Sequence, residues 1–93
     1  MICAAIEARC LLHFEYDGFA RCVAPYCHGR TKRGEEVLRA IQISGSSRSG
    51  GFGYGKLWML AKMVKVRAGD KFEADDPNYN PNDSALGEIH CRV

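Results

Sequence analysis

The stretch LLHFEYDGFARCVAP, residues 11 to 25, decides how this chain is to be read. Leu12, Phe14 and Tyr16 alternate with His13 and Glu15, the period of two that marks a strand with one face buried. Asp17 and Gly18 follow, two residue types that tolerate positive φ, and a two-residue loop of this kind turns the chain into a hairpin. Ala20 to Pro25 is then the returning strand. Pro25 has no N–H to give a ladder, so it points to a sheet edge or a strand end.

Upstream of the hairpin, Ile2, Ile6 and Cys10 fall at i, i+4 and i+8 with Glu7 and Arg9 off the stripe. That spacing predicts a short amphipathic helix, which is stable only when packed. Downstream, HGRTKRG (28 to 34) reads as a polar loop and EEVLRAIQI (35 to 43) as a strand rich in β-branched residues. Val37, Arg39, Ile41 and Ile43 share one of its faces, and Leu38, Ala40 and Gln42 the other. In LWMLAKMVKVRA (57 to 68), Val64 and Val66 alternate with Lys65 and Arg67, so the run is expected to form two strand segments bent near Ala61. The acidic, Pro- and Asn-rich DKFEADDPNYNPNDS (70 to 84) should wrap the surface without regular structure, and GEIHCRV (87 to 93) can add a short closing strand. With 93 residues there is chain for one core only. The division expected is helix over 1–10, strands over 11–67 and tail over 68–93, a mainly β single domain.

Between the strands lies GGFGYGKL, residues 50 to 57, in which Gly50, Gly55 and Lys56 match a phosphate-binding P-loop up to its last position. There Leu57 replaces the hydroxyl that would hold magnesium. With strands on both flanks no helix N-terminus faces a phosphate, so the glycines are read as a connector.

A composition of 46% hydrophobic and 26% charged residues belongs to a soluble globular protein. Glu7 and Arg9 break the only early apolar run, so a cytoplasmic protein without membrane contact is expected. Five cysteines, an odd number without C-x-x-C spacing, predict reduced and mostly buried thiols. Cys27 and His28 lack a second spaced pair, and neighbours on a strand point apart. They are therefore assigned neither metal binding nor catalysis, and no cofactor is expected.

Charge is distributed unevenly. Residues 21 to 67 carry ten Lys or Arg against Glu35 and Glu36, whereas residues 68 to 93 are acidic on balance. A basic body can be a solvated surface or an anion-binding face.

The ordered set AIEARCLLHFEYDGFARCVAPY, GEEVLRAIQI and KLWMLAKM resembles a WYL domain in its small, stand-alone form. That resemblance implies a Sm-like or SH3-like barrel behind an N-terminal helix, in bacterial transcription regulation. It further implies sensing of single-stranded nucleic acid or a small anionic, nucleotide-like ligand, with a homodimer or a separate regulator protein as partner. The family's basic strand pattern falls on Lys56, Trp58 and Lys62, the hairpin's basic position on Arg21, and the residue after its proline on Tyr26. The namesake triplet falls on Glu36, Val37 and Leu38. Adding nearby basic residues, the candidate ligand face is Arg21, Tyr26, Arg30, Lys32, Arg39, Lys56 and Lys62, with Tyr16, Tyr26 or Trp58 available to stack on bases. A non-enzymatic binding module is the leading reading. The alternatives are a small nucleotide or Cys/His hydrolase, and an interaction subunit without a ligand.

Overall fold

A computed structural model of the protein describes residues 2–45, 56–75 and 79–93. The glycine-rich segment 50–55 and Arg48 lie outside the described residues. The order of elements is α1 (Ile2–Ala8), β1 (Cys10–Tyr16), β2 (Phe19–Thr31), β3 (Glu36–Gly45), β4 (Lys56–Met59), a 3₁₀ turn (Leu60–Lys62), β5 (Val64–Lys71) and β6 (Leu86–Arg92).

The hairpin forms as its sequence dictates. Asp17 and Gly18 have φ of 54° and 80°, and Tyr16 pairs directly with Phe19 across the turn. Two consecutive positive φ angles give the turn the twist of its strands. β2, however, runs well past Pro25 to Thr31, so the proline lies inside a strand and residues 28 to 31 are not loop. Two circumstances accommodate it. Against β3 the register shifts between the Pro25↔Ala40 and Cys27↔Arg39 pairs, a bulge. On the opposite edge, β1 pairs with β2 as far as Val23 and β6 takes over from Cys27, which leaves Pro25 between the two. The proline thus sits beside a bulge on one side and between two partner strands on the other, where a missing N–H is best tolerated.

All pairings are antiparallel, in the order β4-β3-β2-β1-β5, with β6 added beside the second half of β2. The outermost strands of that path, β4 and β5, are consecutive in the chain and are joined by the turn Leu60–Lys62 and Met63 alone, so the sheet must curl to bring its edges near each other. The expected bend near Ala61 is this turn. The Met59 N–H donates to the Tyr16 hydroxyl at 3.0 Å, tying β4 to β1 across the curl.

Inside the curl lie Leu12, Phe14, Val23, Leu38, Ala40 and Trp58, closed at one end by Ala5 and Ile6 of α1. Fully burying one large apolar side chain is worth about 1.5 to 3 kcal/mol, so this cluster is the main source of stability. Phe14 and Tyr16 meet the Trp58 ring edge-on, with centroids 5.4 and 5.1 Å away, and the Trp58 indole N–H donates to the Ala40 carbonyl at 3.1 Å. A smaller cluster of Cys27, Val37 and Leu86 sits near the other end of β2.

Cys3 and Cys91 form a disulfide, with Cα atoms 5.6 Å apart, where the odd cysteine count had predicted reduced thiols. The strand order explains the difference. β6 returns beside β2 and packs against α1, which brings two distant cysteines together. Cys10, Cys22 and Cys27 remain free. No described helix is long and apolar enough to cross a membrane.

Candidate functional site

The seven residues singled out from the sequence do not meet in one place. Tyr26 is buried between Phe72 and Tyr79, with ring centroids 5.7 and 5.0 Å away. Arg39 is clamped on the Asp83 carboxylate at 2.6 and 3.1 Å, and that bond, with help from the Ala85 N–H, lowers the Asp83 pKa despite burial. Arg30 binds Glu36 at 2.9 Å and lies 3.7 Å from Glu88; its guanidinium is the main reason the Glu36 pKa is lowered. Lys56 is exposed on β4 and covers the Trp58 ring from 5.1 Å. Lys32 and Lys62 are exposed in the turn after β2 and in the 3₁₀ turn. Trp58 and Phe14, 2% and 3% exposed, belong to the core and cannot stack on a base.

Arg21 is different. It is 4% exposed, and its guanidinium donates to the Tyr16 carbonyl at 3.1 and 3.3 Å and to Gln42 Oε1 at 3.2 Å. The rings of Tyr16, Phe19 and Trp58 surround it at 5.5 to 5.9 Å. Among the described residues its hydrogen-bond partners are all neutral. A buried cation held this way is solvated by fixed dipoles.

On the other face of the hairpin, Arg21 borders a cleft of about 170 Å³ with its backbone. β1 contributes His13, Phe14 and Glu15, β2 adds Ala20, and β5 adds Lys65 and Arg67. The β5 wall is shaped by a bulge. Between the His13↔Arg67 and Glu15↔Val64 pairs, β5 has one residue more than β1. Lys65 absorbs the extra length at φ 56°, in the left-handed region that side chains seldom adopt. Its ammonium lies 3.4 Å from Glu15, an exposed pair of little energetic weight. The Arg21 guanidinium is on the aromatic face with Phe14, its partner across the hairpin, so Lys65 and Arg67 against Glu15 leave the cleft positive. The alternation of Val64 and Val66 with Lys65 and Arg67 was the signal for this wall, but strand period alone does not say which cleft a basic face borders.

The buried free cysteines, Cys22 and Cys27, are poorly placed for nucleophilic chemistry. Burial and the nearby Asp83 raise the Cys27 pKa, and burial pushes Tyr79 beside it up to about 12. Cys22 Sγ lies 3.7 Å from His13 Nε2, but its residue is 5% exposed, so a substrate cannot approach the sulfur.

No family model, characterised protein or solved structure matches the chain. The functional reading therefore stands on the geometry of the chain itself.

Proposed function

We propose that the protein is a non-enzymatic binding module of WYL type, a sheet curled into a Sm-like or SH3-like barrel, whose β1–β2–β5 cleft takes a small phosphate-bearing anion. The observation that carries this reading is a cleft lined by the cations Lys65 and Arg67 against the single carboxylate of Glu15. An excess of positive charge at a cleft raises the local concentration of anions there. The barrel reading is supported by the strand path, in which β4 and β5 are its two ends and only four residues separate them.

Size favours a small ligand. At about 170 Å³ the cleft is below the roughly 300 to 1,000 Å³ of sites that enclose drug-sized molecules. It suits one phosphate group, free or at the end of a nucleotide whose base stays outside. A single strand is less well served, because the rings that would stack its bases, Trp58 and Tyr26 among them, are buried.

Calorimetric titration with inorganic phosphate, a nucleoside monophosphate and a short oligothymidylate tests the reading. Phosphate and nucleotide should bind with similar affinity, weakened about tenfold or more by Lys65→Ala with Arg67→Ala, and the oligonucleotide should bind no tighter per site. An oligonucleotide that binds far more tightly, with a log–log salt slope of about −2 to −3, would transfer the assignment to single strands. No binding of any of the three in low salt would remove the anion reading.

A further inference from the structure

We propose that Nε2 of His28, Nε2 of His90 and the Glu36 carboxylate form a binding site for a divalent cation of the zinc class, with solvent completing its shell. This site lies at the β2–β3–β6 end of the sheet and is independent of the anion cleft. Its three donor groups lie within 4.8 Å of one another. Glu36 Oε1 is 3.1 Å from His28 Nε2 and 3.1 Å from His90 Nε2. Around a zinc-sized ion with bonds of about 2.0 to 2.1 Å, tetrahedral ligand atoms stand roughly 3.3 Å apart, so two edges of that tetrahedron already exist.

Strand pairing brings these residues together and a bulge aims one of them. Arg30↔Glu36 is a direct pair of the β2–β3 ladder, which sets Glu36 two residues along from His28. Between the His28↔Cys91 and Gly29↔Ile89 pairs, β6 carries one residue more than β2, and that residue is His90. Bulges re-aim side chains in this way. Close approach of the two strands depends on Gly29, since a Cβ there would run into the Glu88 carbonyl.

Counting protons leaves room for a cation. His28 Nε2 and His90 Nε2 face Glu36, and His90 Nδ1 faces Glu88 at 3.5 Å, three nitrogens directed at carboxylates. Two neutral imidazoles carry only two N–H groups, so the remaining nitrogen needs either a further proton, which makes one ring an imidazolium, or a bound cation in place of the N–H groups. A cation between the Nε2 atoms meets that need. Each ring then holds its proton on Nδ1, where His90 donates to Glu88 and His28 faces the Cys3 sulfur at 3.6 Å. A carboxylate on the outer nitrogen of a ligating histidine is the usual orienting arrangement. Arg30 stays on Glu36 Oε2 and leaves Oε1 for the metal. Two histidines and one carboxylate suit zinc or a neighbouring first-row ion rather than calcium or magnesium.

The test uses chelator-treated protein with its disulfide intact. Zn²⁺ should bind saturably at one equivalent by calorimetry, and the imidazole proton resonances of His28 and His90 should move while those of His13 stay. His90→Ala and Glu36→Gln, both at accessible positions, should each weaken binding at least tenfold, and Glu88→Gln should weaken it by about tenfold. Lack of stoichiometric binding by the unmodified protein overturns the proposal. So does equal affinity in folded His90→Ala and Glu36→Gln, or a Co²⁺ spectrum with thiolate charge-transfer bands, which would put the ion on a free cysteine, Cys10, Cys22 or Cys27, instead.

Discussion

The two halves of β2 are held in different ways. From Phe19 to Val23 the strand pairs with β1 and backs the aromatic core, whereas from Cys27 to Thr31 it pairs with β6 over a small apolar cluster. The first half is stabilised by packing. The second relies on a disulfide, the Arg39–Asp83 clamp and the polar network around Glu36. One continuous strand thus joins an end that resists changes of solution conditions to an end that responds to reductant and acid.

The sharpest way to break this comparison is reduction. A crosslink closing a loop of this length is worth about 4 to 5 kcal/mol in the chain-entropy account, so Cys3→Ser with Cys91→Ser should lower the unfolding free energy by that order. In hydrogen exchange the amides of β6 should lose protection before those of β1. Equal loss in both strands would show that the halves are not separable. Next comes truncation of the core. Leu12→Ala should cost about 3 kcal/mol in chemical denaturation, and Leu86→Ala about half as much, because the cluster at Leu86 is small and next to solvent.

A smaller effect is expected from Asp83→Asn, about 1 to 2 kcal/mol, since Arg39 is a quarter exposed and part of the pair is screened. The sign with pH follows from the lowered Asp83 pKa. The unfolded chain binds the proton more readily, so the clamp contributes fully above about pH 4 to 5 and its contribution is lost as pH falls through the folded-state value. Denaturation curves between pH 2 and 7 should accordingly be flatter for the variant than for the unmodified protein. The smallest effect sharpens the cleft. Lys65→Gly should relieve the left-handed backbone and raise stability by roughly 0.5 to 1 kcal/mol while weakening phosphate binding. A loss of stability there would mean that the Glu15 ion pair outweighs the strain.

Much of the fold could be read from local pattern. The Asp17–Gly18 turn, the alternation of β3, the bend near Ala61 and the late strand ending the tail all rest on residues close in sequence. The continuation of β2 could not be read this way, because a proline is tolerated only where two partner strands hand over and a bulge intervenes. Arg21 is an instructive miss of context. Its position was picked out, but a charged residue in FARC gives no sign that Gln42 and the Tyr16 carbonyl will solvate it inside the sheet. The cluster at Glu36 was less legible still. Val37 and Leu38 read correctly as strand, yet His28 and His90 meet Glu36 only through the register of three strands and one extra residue in β6.

The bond between Cys3 and Cys91 also changes how the molecule would bear mechanical load. Pulled from positions outside residues 3 and 91, the oxidised protein transmits tension through sulfur, and the 88-residue span between the cysteines feels none of it. Cleaving that bond releases roughly 300 Å of extensible chain at once, so the protein is a short, stiff tether when oxidised and a long, compliant one when reduced.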